Sequence, residues 1–141
     1  MERVIEFKAK RVDAVDLWTF GVPVESVNGK AYIVHGATED AINTSNDVDF
    51  YFTEVIPKTV REFINSHDRH GTRIYRGDIV HFDNGLKDDV GNYVVDVFYD
   101  GLGLPQYGIR QDDGGWHFVI PKDQIEVIGN IHDNPELLKT E

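Results

Sequence analysis

Asp68-Arg69-His70-Gly71-Thr72-Arg73-Ile74-Tyr75-Arg76-Gly77-Asp78-Ile79-Val80 is the stretch on which the reading of this chain turns. Gly71 and Gly77 supply permissive backbone at two closely spaced turns. Asp68 and Asp78 are placed to hydrogen-bond backbone amides of those turns. Tyr75, Ile79 and Val80 are the residues that fill a core. Turn, short extended run, turn and strand start is the grammar of a β protein.

Working outward, alternation dominates and helical periodicity is scarce. Residues 4–8 read as a strand with Ile5 and Phe7 facing in. Residues 17–24 read as a second, with Trp18, Phe20, Val22 and Val24 on one face and a bulge or an edge at Gly21 and Pro23. Asn28-Gly29 predicts a two-residue type I′ hairpin leading into residues 31–35, where Tyr32 and Val34 share a face. Residues 36–47 read as a loop or short insertion, and 48–56 as a strand ended by Pro57. Thr59 could cap a single helical turn with Glu62 as its capping-box partner. Further strands are expected at 79–82, 93–99, 106–111, 116–120 and 124–130. In the 93–99 strand Asp96 sits among apolar residues. Asn134-Pro135 opens a short terminal helix. The fold class is therefore mostly β with little helix, a small barrel or meander. The expected division is an N-terminal meander and loop at 1–47 and a β-barrel with a short C-terminal helix at 48–141, the two forming one compact unit.

Composition narrows function. The chain has 141 residues, no Cys and a formal net charge of −11. Disulfides, thiolate metal sites and cysteine nucleophiles are thereby excluded. The charge disfavours nucleic acid and anionic lipid as partners and leaves a protein partner open. The start of the sequence reads as no signal peptide, and no stretch approaches the ~20 apolar residues of a membrane span. A cytoplasmic protein without a membrane role is expected. The charge is also uneven: Arg61, Arg69, Arg73 and Arg76 cluster, whereas Asp83, Asp88, Asp89, Asp96, Asp100, Asp112 and Asp113 follow. If the two stretches pack together, the arginines neutralise the acids.

Four blocks in order resemble the YopX family of phage and prophage proteins. Ile5-Glu6-Phe7-Lys8-Ala9 followed by Trp18-Thr19-Phe20-Gly21 is similar to the family's opening. Gly29-Lys30-Ala31-Tyr32-Ile33-Val34 is similar to its first hairpin. The stretch quoted above resembles D-x-x-G-x-x-I-Y-E-G-D-I-V, and Glu126-Val127-Ile128-Gly129-Asn130-Ile131-His132-Asp133-Asn134-Pro135-Glu136-Leu137-Leu138 resembles the closing motif. The resemblance implies a mostly β fold with an SH3-like C-terminal half, an extended segment at 59–64, and a phage or prophage origin in bacteria. It brings no catalytic residues and no established activity. Where the family commonly has V-G-Q-F-T-G-L, this chain has Val60-Arg61-Glu62-Phe63-Ile64-Asn65-Ser66, so both glycines are replaced. Arg76 stands where Glu is usual, so the arginine cluster belongs to this chain.

Candidate chemistry is sparse. His67, Asp68 and His70 include competent metal ligands, but the spacing suits a helical turn, Gly71 argues for a loop, and Arg69 and Arg73 repel a cation. A metal-dependent hydrolase is therefore the lesser alternative, and no metal or cofactor is assigned. Asp96 could serve as a buried acid, or it could be bound by a loop amide or an Arg. No phosphate loop or nucleophile elbow is present. No catalytic residue is assigned, and the balance is against an enzyme. The candidate binding patch is Arg61, Arg69, Arg73, Tyr75 and Arg76, since Arg and aromatic residues favour interfaces. The expected function is a non-enzymatic module binding a protein partner or a second copy, with nucleic-acid binding through residues 61–76 as the alternative.

Overall fold

The computed structural model describes residues 5–35, 51–86, 89–111 and 115–138. The expected loop at 36–47, the first residues of the strand expected at 48–56, and part of the turn around Asp112-Asp113-Gly114 lie outside them. The chain is mostly β, as its alternation implies, and its helical content among the described residues is three short 3-10 turns. It divides into two units, Met1–Glu62 and Phe63–Glu141.

The first unit is an antiparallel meander of β1 (Phe7–Lys10), β2 (Trp18–Glu25), β3 (Ala31–His35) and β4 (Tyr51–Val55). The sequence division at 47/48 falls before β4, yet β4 pairs with β3. The meander curls. Arg11 bridges Val55, Val12 N–H donates to the Glu54 carbonyl (3.0 Å), and Ile56 N–H donates to that of Lys10 (2.9 Å). Ala9, Ala31, Ile33 and Val55 form the interior, with Phe7 and Val60 packed against them. Phe7 thus faces in as expected, whereas Ile5 is exposed. Phe20, Val22 and Val24 do share a face, and it is the outer one. Gly21 and Pro23 mark a local edge, one of the two features expected there. β2 leaves β1 at Gly21 and takes up β3 at Val22, so Pro23 sits beyond the ladder its missing N–H would interrupt. A Cβ on Gly21 would lie 2.4 Å from the Val34 carbonyl oxygen.

Two local expectations change. The Asn28-Gly29 hairpin forms, but only Gly29 has positive φ (83°), so it is not type I′; the connection runs from Ser26 to Lys30. Thr59 ends a 3-10 turn (Pro57–Thr59) and caps no helix; its hydroxyl donates to the Ile56 carbonyl and accepts from Lys10 N–H. Glu62 lies instead in β5 (Arg61–His67), the extended run that the family resemblance implies.

β5 begins in the first unit, where Arg61 and Glu62 pair with β1, and ends in the second, where it pairs with β6 (Arg73–Tyr75). Between Phe63↔Tyr75 and His67↔Arg73 the register shifts, and Asn65 lies there at φ 60°. This is the position of the second glycine in the family's usual V-G-Q-F-T-G-L. Asn is the side-chain-bearing residue that best tolerates the left-handed region, so the turn survives the loss of glycine.

The second unit's sheet has the order β10-β9-β8-β7-β11, all antiparallel. Its strands are β7 (Asp78–Phe82), β8 (Gly91–Tyr99), β9 (Pro105–Arg110), β10 (Trp116–His117) and β11 (Ile125–Asn130). Strand pairing among the described residues leaves this sheet open. The core comprises Ile64, Ile74, Val80, Phe82, Tyr93, Val95, Ile109 and Ile125. β10 is shorter than expected because the chain bends at Phe118 and Val119. The expected terminal helix is one 3-10 turn, Pro135–Leu138.

Candidate functional site

The two most distinctive motifs meet in one structural knot. Asp68 Oδ1 accepts from the N–H groups of His70 and Thr72, and Oδ2 accepts from Val127 N–H, all at 2.9 Å. Arg69 N–H donates to the Ile125 carbonyl and Ile131 N–H to that of Gly77. Gly71 (φ 83°) and Gly77 (φ 90°) occupy conformations that disfavour a side chain. Asp78 is buried and accepts from Tyr75 N–H at 2.8 Å. Burial pushes the Asp68 carboxyl upward. The N–H groups of Val127, Thr72 and His70 more than offset this and hold it below the ordinary Asp range. The Asp68-to-Val80 stretch is thus a clamp that ties the β5–β6 and β6–β7 turns to β11 and the segment after it.

The candidate metal ligands are accordingly used within the fold. Asp68 is taken by backbone amides, His67 stands edge-on to Phe63, and His70 Nε2 lies 2.9 Å from Glu126 Oε2. Among the described residues no group of three or more His, Asp or Glu is arranged to hold a metal ion.

The five residues of the expected patch each have a partner within the fold. Arg61 falls in the first unit and donates to the Val60 carbonyl. Arg69 donates to Glu126 Oε2 at 2.9 Å. The Arg69 and His70 hydrogen bonds, in that order, lower the Glu126 pKa. The Arg73 guanidinium carbon lies 4.7 Å from the centre of the Phe63 ring, a contact worth about 0.5–1 kcal/mol at an exposed site. Tyr75 is 5 % exposed, with its ring against Phe63, and so belongs to the interior. Arg76 reaches Asp96, Nε to Oδ1 at 3.0 Å.

Asp96 organises a surface that the sequence reading divided among separate segments. Its second oxygen accepts from Arg110 Nε at 3.0 Å, and Oδ1 also accepts from Val97 N–H. Burial raises its pKa. The Val97 amide and then Arg110 and Arg76 outweigh the burial, so the carboxyl is held below its ordinary value. Of the bonding partners expected for Asp96, the arginine is found, and the amide is that of Val97 within β8 and not one from a loop. Register puts Phe98 on the same face as Asp96, and Trp116 opposite Arg110. Phe98 meets Trp116 at 5.5 Å and Phe118 at 4.8 Å, and Trp116 and Phe118 are parallel within 4°. Gly108, opposite Asp96, makes this possible: a Cβ there would lie 2.6 Å from the His117 carbonyl oxygen and 3.3 Å from Phe98 Cε1. The side chains of Arg76, Arg110 and Asp96 are 41 %, 32 % and 24 % exposed, and Phe118 is 60 % exposed. Two guanidiniums share one carboxylate beside three aromatic rings.

The fold and this face define a small antiparallel β protein whose shared motifs serve its folding. Residues 24–139 match the family model described as YopX protein, and the chain belongs to that family. It is also similar to the crystal structure of protein EF1440 from Enterococcus faecalis. Identity is 17 % and the TM-score 0.56, over 98 % of this chain and 100 % of that one, a likeness of fold. No curated protein matches the chain. No helix among the described residues is long and apolar enough to cross a membrane.

Proposed function

We propose that this protein is a non-enzymatic interaction module that binds a protein partner, and that Arg76 and Arg110 with Phe98, Trp116 and Phe118 form the docking face. The observation behind this reading is the half-exposed pair of arginines on Asp96 beside the aromatic cluster. Arg, Trp and Phe are enriched where binding energy concentrates in interfaces. Of the patch expected from sequence, Arg76 is kept at the centre, and Arg69 and Arg73 are the surface against which it is compared. The open sheet of the second unit serves as an SH3-like module in this proposal. Phage or prophage origin and action in the bacterial cytoplasm are part of the same proposal, for which family membership and the bacterial source of the similar structure are the grounds. The test is capture of partners from nuclease-treated bacterial lysate, with an R110Q/F118S variant in parallel. A protein enriched by the parent and lost with the variant supports the reading; equal capture by both rejects it.

A further inference from the structure

We infer that Asn28, in the β2–β3 hairpin, is a site of spontaneous covalent modification: the Gly29 backbone nitrogen closes a succinimide ring on its side chain, ammonia leaves, and Asp or isoaspartate remains at position 28. The step balances with water as the one co-reactant. The Gly29 nitrogen gives up its proton and bonds to Asn28 Cγ. The bond from Cγ to the side-chain nitrogen breaks, and ammonia departs with that proton. Water then opens either C–N bond of the ring, and one of the two products carries the backbone through the former side chain. Gly29 has no Cβ to shield its nitrogen, and a Cβ there would meet nothing within 4 Å. Asn28 and Gly29 are both exposed.

The chain holds a second Asn-Gly pair, Asn84-Gly85, and the fold favours reaction at Asn28 over Asn84. A Cβ on Gly85 would also meet nothing within 4 Å, so access to the nitrogen does not separate the two. Nor does the carbon under attack. Asn28 Oδ1 accepts from Lys30 N–H at 3.2 Å and is touched by the Ser26 hydroxyl, and Asn84 Oδ1 accepts from Leu86 N–H at 2.9 Å. Each thus has a donor where negative charge develops. The nitrogens differ. Gly29 N–H donates to the neutral Ser26 carbonyl at 3.0 Å, whereas Gly85 N–H donates to the Asp83 carboxylate, Oδ1 at 2.9 Å. A hydrogen bond to a charged acceptor is the stronger kind, and a negative charge beside the nitrogen opposes loss of its proton. Asn84 is also half-buried, with Nδ2 3.3 Å from Asp89 Oδ2. The product bears on the hairpin. Isoaspartate lengthens the Ser26-to-Lys30 connection by one backbone carbon, and connection length helps set register, here at the Glu25↔Ala31 pair.

The test incubates the full chain at mildly alkaline pH, with a guanidinium-unfolded sample in parallel, and follows tryptic peptides by mass spectrometry. Cleavage after Arg11 and Lys30, and after Arg76 and Lys87, gives two peptides that each contain one asparagine, Asn28 or Asn84. The readout is the mass gained when NH2 is replaced by OH, with Asp and isoaspartate separated by chromatography. The expected result is conversion of Asn28 to both products, about fivefold or more faster than Asn84 in the folded chain. Unfolding should bring the two rates together. D83A removes an exposed carboxylate, so it should speed conversion of Asn84 and leave that of Asn28 unchanged. Asn28 left intact, equal rates in the folded chain, a ratio that unfolding does not alter, or no gain at Asn84 in D83A overturns the inference.

Discussion

Removing the Asp68 carboxylate should undo the second unit. Three backbone N–H groups, from His70, Thr72 and Val127, donate to it at 2.9 Å, and the residue is 7 % exposed. A hydrogen bond to a charged group contributes about 1.5–3 kcal/mol, and an abandoned buried donor costs about 1–3 kcal/mol. The three bonds are coupled, and the turn can admit water once opened, so D68A should cost about 3–5 kcal/mol and not the full sum. That is a large share of the ~5–15 kcal/mol stability of a typical domain. D68N is the informative partner, because its one oxygen can serve His70 and Thr72 while its NH2 faces the Val127 donor. It should cost about 1–3 kcal/mol. Urea unfolding followed by far-UV circular dichroism measures both. The acid limb offers an independent check. The folded pKa of Asp68 lies below its unfolded value of about 3.9. Its contribution is therefore complete above that value and is lost as pH falls through the folded pKa. D68N should flatten this loss. A D68A protein within about 0.5 kcal/mol of the parent, a cost no larger than an ordinary surface change, would refute the clamp.

Other expectations follow from single positions. Asn65 is left-handed inside the β5 register shift, so N65V should lower stability by about 1–2 kcal/mol while N65G holds or raises it. Urea midpoints of the two variants decide this, and equal values would show that the backbone there is not constrained. G108A would place its Cβ 2.6 Å from the His117 carbonyl oxygen, prising β10 from β9 at a cost of about 1–3 kcal/mol. Trp116 emission, read with Trp18 replaced by Phe, should shift to longer wavelength in that variant.

Much of the fold was legible because strands announce themselves by alternation and turns by glycine and aspartate. Asp68, Asp78, Gly71 and Gly77 take the roles their chemistry suggests. What alternation does not give is which side of a strand faces in. Phe20, Val22 and Val24 are as apolar as a core stripe, yet the sheet curls around Ala9 and Ile33. Nor does a dipeptide fix a turn: Asn28-Gly29 marks the hairpin, and the longer Ser26-to-Lys30 connection sets its geometry. The candidate site was half legible. Proximity in sequence grouped Arg61, Arg69, Arg73 and Arg76, and the fold gives each a different partner. The face around Asp96 gathers Arg76, Phe98, Arg110 and Trp116 from four segments, and only cross-strand register brings them together. The available signals were an aspartate inside an apolar strand and the alignment of Trp116 with Phe118.

The measurement that bears most directly on the account compares partner capture by two variants that each remove two arginines, R76Q/R110Q and R69Q/R73Q. Net charge changes equally in both, so a difference locates the surface and not merely the field. The account predicts that R76Q/R110Q loses the captured partner while R69Q/R73Q keeps it, with folding of both checked by circular dichroism and F118S reproducing the loss. Capture that survives in R76Q/R110Q, or that falls equally in the two variants, would contradict the assignment of docking to the Asp96 face.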